Sequence, residues 1–150
     1  MKVIKFNLND FDMNIVREAA RVLRGGGCVV YPTDTAYALG VDAFNAAGIE
    51  RLFKIKKRPK IKPIPIMVRD IETAKRIAYI DKKTEKILEG IWPGAVTAIL
   101  NKREVIPNIA VAGKKTVGLR IPAHSFARFL ADNFKNPITA TSASIFGEPP

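Results

Sequence analysis

A layered α/β or α+β fold within one domain is predicted by three features of the sequence. Helix-periodic and strand-like segments alternate along the whole length, with no internal repeat, low-complexity tract or linker-like stretch. The 150 residues suit one domain and leave little room for two. The composition, 47% hydrophobic and 26% charged, is that of a chain able to bury a core.

The elements follow in order. Ile15, Val16, Ala19, Ala20 and Leu23 fall on one face of a helix over Met13 to Arg24. Gly25-Gly26-Gly27 stops it, because glycine accepts left-handed geometry at a helix end. A phosphate cradle is the weaker reading, since a P-loop opens a helix and these glycines close one. Cys28 to Tyr31 reads as a short strand and Ala36 to Val41 as a second. Asn45 caps a helix running to about Lys56. Ile64 to Val68 reads as a strand, with Pro65 pointing to an edge or a bulge. Asp70 and Asp81 cap helices over Ile71 to Ala78 and Lys82 to Glu89. Val96 to Leu100 and Thr116 to Ile121 read as strands. His124 to Phe134 reads as a helix with Phe126, Phe129 and Leu130 as its apolar stripe, and Ile138 to Thr141 as the last strand.

Several function classes drop out early. A lone Cys28 leaves no intrachain disulfide framework and no multi-Cys zinc site. With one His, a protein-only metal site needs carboxylates, and they do not cluster. No Ser-His-Asp or Cys-His order stands out, which argues against a covalent hydrolase. No apolar run approaches the roughly 20 residues of a membrane span, and Met1 to Lys5 lacks the apolar core of a signal peptide. A cytoplasmic setting without membrane partners is the expectation. The charge points to an anionic partner: 25 Lys and Arg against 14 Asp and Glu give +11.

Four constellations are able to carry chemistry. Arg51 to Lys62 holds seven basic residues in twelve. Such a run is most simply a solvated face, yet Arg58 sits in a helix end fixed by Pro59 and has the planar fork that pairs with phosphate or carboxylate. Pro32-Thr33-Asp34-Thr35-Ala36-Tyr37 reads either as an Asx or ST turn or as a hydroxyl-lined pocket floor with one aromatic wall. Trp92-Pro93-Gly94 is a core plug or a binding wall. Arg120, near a strand end, is costly to bury unpaired, so it faces an anion or a structural carboxylate. Two hydroxyl-rich turns, Tyr31 to Thr35 and Thr139 to Ser144, follow strands, where ligands of α/β sheets often bind.

Five segments in this order resemble the YrdC-type threonylcarbamoyl-AMP synthase family. They are Gly26 to Gly40, then Lys56-Lys57-Arg58-Pro59 with Pro63, Trp92-Pro93-Gly94 with Thr97, Gly118 to Pro122 with His124, and Thr141-Ser142-Ala143. The resemblance implies an α/β fold: a twisted mixed sheet flanked by helices, with a concave basic cavity. It implies one YrdC-like domain over residues 1–150, lacking the family's C-terminal portion. It implies synthesis of threonylcarbamoyl-adenylate from L-threonine, bicarbonate and ATP, with Mg²⁺ held mainly by the ATP phosphates. The product would serve N6-threonylcarbamoylation of adenosine 37 in tRNA, through downstream transferase proteins, with tRNA or double-stranded RNA as a further partner. Lys56, Arg58 and Ser142 take the catalytic places. Thr33, Thr35, Tyr37, Pro59, Arg120, Thr141 and Ser144 join them in binding threonine and ATP. Ser144 stands where the family's Ser-x-Asn has Asn, and Phe146 where a small Ser precedes Gly147. Those two differences keep open a non-catalytic nucleotide- or RNA-binding paralogue of the same fold.

Overall fold

The computed structural model describes residues 1–149. Five helices and seven short strands follow one another as α1 (Met13–Arg24), β1 (Val29–Tyr31), β2 (Ala38–Gly40), α2 (Ala46–Lys56), β3 (Ile66–Met67), α3 (Ile71–Ile77), α4 (Lys82–Ile91), β4 (Ala98–Asn101), β5 (Thr116–Arg120), α5 (Ser125–Phe134), β6 (Ile138–Thr139) and β7 (Thr141–Ser142).

The helix starts are set locally. Asp12, Asn45, Asp70 and Asp81 each accept a hydrogen bond from a backbone N–H of the first turn, satisfying donors that no helical carbonyl can reach. His124 does the same for α5: its Nδ1 accepts from the N–H of Phe126 at 3.2 Å. It is a cap, and the helix begins one residue later than expected. At the end of α1, Gly26 takes φ +81, and the N–H groups of Gly26 and Gly27 return to the carbonyls of Leu23 and Val22. The triple glycine is therefore a helix stop.

β1, β2 and β7 form an antiparallel sheet in the order β1-β2-β7. A mixed sheet runs β4-β5-β3-β6, with β3 parallel to β5 and the other pairs antiparallel. The segment expected as one strand, Ile138 to Thr141, serves both sheets. β6 pairs with β3, β7 pairs with β2, and Ala140 between them donates to the carbonyl of Pro65. β3 lies inside its sheet, correcting the edge expected from Pro65. The proline stands just before the strand, where it removes no ladder donor.

Ile66 and Met67 point into different cores, which explains the unbroken apolar run Ile64 to Val68. Ile66 joins Ile49, Leu52, Phe53, Ala74, Ile77, Leu88, Val117 and Leu119. Met67 joins Val16, Ala20, Leu23, Tyr31, Phe126, Leu130 and Ile138 under α1 and α5. Phe129 is outside this second core, 43% exposed: α1 covers the face carrying Phe126, Leu130 and Phe134 instead. Burying a side chain such as Leu119 or Leu130 is worth about 1.5–3 kcal/mol, against about 1 kcal/mol net for a hydrogen bond. Two-residue strands such as β3 and β6 are thus held chiefly by packing. Gly40 permits one close approach: a Cβ there would lie 2.7 Å from the Tyr31 ring and from Ile138. The buried Tyr31 hydroxyl then donates to the carbonyl of Thr139 at 2.9 Å. No helix among the described residues is long and apolar enough to cross a membrane.

Candidate active site

Two clusters gather the residues singled out in the sequence. The first lies where α2 ends against β7. Lys56, the last residue of α2, is 2% exposed. Its Nζ donates to the carbonyls of Ser142 at 2.5 Å and Ser144 at 2.6 Å. An ammonium has three N–H donors, so one is left for another acceptor. Lys57 takes a left-handed conformation, φ 52, and turns the chain so that the N–H of Arg58 returns to the carbonyl of Phe53. Arg58 then donates from Nε to the carbonyl of Lys62 and from Nη2 to that of Pro63, at 3.2 and 2.7 Å. Its guanidinium lies 5.2 Å from the centroid of the Phe146 ring, and the N–H of Phe146 donates to the carbonyl of Lys56. Ser142 and Ser144 hydroxyls are 3.1 Å apart.

Among the described residues, neither Lys56 nor Arg58 has a carboxylate partner. Burial pushes the Lys56 ammonium below the ordinary lysine range, with the neighbouring Arg58 charge adding to it. Burial alone lowers Arg58. The rest of the basic run divides plainly. Arg51 donates to the carbonyl of Gly26, Lys60 pairs with Glu50, and Lys54, Lys57 and Lys62 are exposed. Pro59 is exposed too, accepting from the N–H of Lys62.

The second cluster joins the β1–β2 turn to the end of β5. The Thr33 hydroxyl donates to the carbonyl of Ala36 at 2.6 Å and accepts from the N–H groups of Thr35 and Ala36. The turn is thus an ST turn made by Thr33, which frees Asp34 to reach outward. One carboxylate oxygen of Asp34 pairs with Arg120 Nη2, and the other accepts from the N–H of Ala123 at 3.1 Å. Arg120 Nη1 donates to the Thr35 hydroxyl at 3.1 Å. Arg120 therefore faces a carboxylate, one of the two partners its position called for. That carboxylate is Asp34, the acidic residue in the hydroxyl-rich turn, which no local pattern in the sequence pairs with Arg120.

β2 and β7 connect the clusters: Ala38 is opposite Ser142, and the N–H of Ala143 donates to the carbonyl of Tyr37 at 2.8 Å. Thr141 is buried in this ladder opposite Leu39, and the Tyr37 side chain is exposed. Trp92 stands apart as a core residue, 6% exposed, its indole N–H donating to the carbonyl of Val96. A cavity of about 790 Å³ lies elsewhere, between the N-terminal residues, α1 and β1. Pro32 and Tyr37 reach its wall, whereas Lys56, Arg58 and Arg120 do not.

Comparison with known proteins gives a consistent picture. Residues 21–150 match the Sua5/YciO/YrdC family, which carries the description "Telomere recombination". The chain is 37% identical over 135 residues to a threonylcarbamoyl-AMP synthase of Pyrococcus abyssi, covering 89% of this chain and 40% of that protein. It is 34% identical to a threonylcarbamoyl-AMP synthase of Nitrosococcus oceani, over 90% of this chain and 74% of that protein. Thus it spans about two-fifths of the archaeal relative and about three-quarters of the bacterial one. Among solved structures, P. abyssi Sua5 complexed with L-threonine superposes with a TM-score of 0.90 at 35% identity, over 93% of this chain and 42% of that one. Escherichia coli YciO superposes with a TM-score of 0.84 at 27% identity, over 93% and 68%.

Proposed function

The chain belongs to the Sua5/YciO/YrdC family, and from that premise we propose that it makes L-threonylcarbamoyladenylate from L-threonine, bicarbonate and ATP. Pyrophosphate is the second product, and the adenylate supplies the threonylcarbamoyl group for tRNA adenosine through downstream transferase proteins. The observation that carries this reading is the pair Lys56 and Arg58. Both are cations without a carboxylate among the described residues: Lys56 is fixed by the carbonyls of Ser142 and Ser144, and Arg58 by those of Lys62 and Pro63. Such a site is built to receive anionic oxygen.

The chemistry asks for little more. The threonine amine adds to CO₂ with loss of a proton, or to bicarbonate with loss of water, to give a carbamate. A carbamate oxygen attacks the α-phosphorus, and the bond to pyrophosphate breaks. No protein nucleophile is required, so positioning and charge neutralisation can supply most of the acceleration. In this reading Lys56 and Arg58 neutralise triphosphate or carboxylate oxygens. Ser142, Thr141 and Ser144 line the nucleotide side, and Thr33, Thr35, Tyr37 and Pro59 border the threonine and nucleotide pocket. Arg120 supports the nucleotide. The two clusters would wall one basic pocket in a domain spanning residues 1–150. Mg²⁺ enters with ATP: apart from Asp34, already paired with Arg120, the gathered side chains are cations, hydroxyls and the Tyr37 ring, and no group of three or more His, Cys, Asp or Glu suited to a metal lies among the described residues. The phosphates would therefore supply most of its ligands, and its contribution is to neutralise their charge.

The test is product formation. Pyrophosphate and the adenylate, detected by mass, are expected only when ATP, L-threonine and bicarbonate are all present, and both vanish in Lys56→Ala and Arg58→Ala. A folded wild-type chain that releases no threonine-dependent pyrophosphate, at concentrations where a longer relative turns over, overturns the reading.

A further inference from the structure

We propose that Asp34 is the positioning residue for Arg120, a role that rests on the nucleotide-handling site described above. Its carboxylate is divided between two elements. One oxygen pairs with Arg120 at the end of β5, and the other accepts from the N–H of Ala123, before α5. The side chains of Asp34 and Arg120 are only 16% and 12% exposed. Thr35 adds a third link, its hydroxyl accepting from Arg120 Nη1. The polar contacts recorded between this turn and the end of β5 run through Asp34 and Thr35.

The division matters because of what Arg120 leaves unused. Two of its five N–H donors are taken by Asp34 and Thr35. Nε is buried and has no acceptor among the described residues. A guanidinium is planar, so fixing Nη1 and Nη2 fixes the direction of every other N–H on it. Asp34 therefore sets where the remaining donors of Arg120 point. It would act through Arg120 and need not touch a substrate. A carboxylate that served only the turn would bond its own backbone, and in this turn the Thr33 hydroxyl already does so.

Two measurements test the role together. ATP and L-threonine binding is titrated by calorimetry in the wild type, Asp34→Asn, Asp34→Glu, Arg120→Ala and the Asp34→Asn/Arg120→Ala pair. Asp34→Asn keeps an acceptor for Ala123 but loses the charge. It should weaken ligand binding about tenfold, add nothing once Arg120 is gone, and be partly rescued by Asp34→Glu. The second readout needs no ligand: the Arg120 Nε–H resonance should be sharp in the wild type and broadened in Asp34→Asn. A losing result for the role is a loss that persists in full in the Arg120→Ala background, or an Arg120 resonance indifferent to Asp34. A wild-type chain that binds neither ligand but shows the Asp34-dependent resonance sinks the synthase reading and leaves the positioning of Arg120 standing.

Discussion

Lys56, buried, and Arg120, half-buried, are cations of the same candidate site, and they are held in opposite ways. Lys56 rests on two main-chain carbonyls, which stabilise a positive charge without cancelling it. Arg120 rests on the Asp34 carboxylate, which cancels its charge and leaves its geometry. The first region keeps an excess of positive charge shielded from water, where an incoming anion gains more than at the surface. The second is a neutral pair that orients donors. If the difference is functional, the two cations should fail differently when removed.

The largest effect is expected from that contrast. Lys56→Met retains most of the buried stem and removes the charge. Threonine-dependent pyrophosphate release should fall by about 10²- to 10³-fold, the cost of deleting one preorganised donor to developing negative charge. Stability should stay within about 2 kcal/mol of wild type, because relief of an unneutralised buried charge opposes the stranding of two carbonyls. Arg120→Met instead leaves Asp34 half of a largely buried pair. Breaking such pairs costs roughly 3–5 kcal/mol when fully buried, so about 3 kcal/mol is expected here, or some 6–12 °C in Tm. Thermal melts beside activity assays would break the comparison if both variants lost stability alike.

Alkaline pH separates the two regions more gently. Burial holds the Lys56 ammonium below the ordinary lysine range. Raising the pH through the interval between its folded value and the ordinary one discharges Lys56 in the folded chain before the same lysine in the unfolded chain. Anion affinity should fall across that interval. Stability should rise across it, because the unfolded chain there binds more protons than the folded one. Lys56→Met should flatten both slopes, and titrations of ATP affinity and of denaturant midpoint against pH would show whether it does.

What the sequence revealed of this arrangement follows the range of the forces involved. The Asp70 and Asp81 caps and the α1 stop depend on neighbours a few residues away, and they were legible. The splitting of Ile138 to Ser142 between two sheets was not, because its cause is the pairing of β6 with β3 and of β7 with β2. Phe129 has helical spacing with Phe126, but which face is buried depends on where α1 lies. Within the basic run, charge density could not separate buried Lys56 from exposed Lys54 and Lys57. The motif resemblance singled out Lys56 and Arg58 instead. Asp34 and Arg120 are 86 residues apart, and no local pattern connects them.

The smallest effect concerns Phe146, on the unneutralised side of the comparison. Its ring lies under the Arg58 guanidinium at 5.2 Å, and its backbone N–H is tied to Lys56. A partly exposed cation–π contact is worth about 0.5–1 kcal/mol. With two carbonyls also holding Arg58, the ring is one restraint among three. Phe146→Ser keeps the backbone bond to Lys56 and removes only the ring. Triphosphate affinity should then weaken by about two- to fivefold, the factor that 0.5–1 kcal/mol represents, with Lys56-dependent pH behaviour unchanged. A ring that crowded the site would give the opposite sign, a tighter complex in Phe146→Ser. Calorimetric titration with ATP separates the two, since one predicts a larger Kd and the other a smaller one.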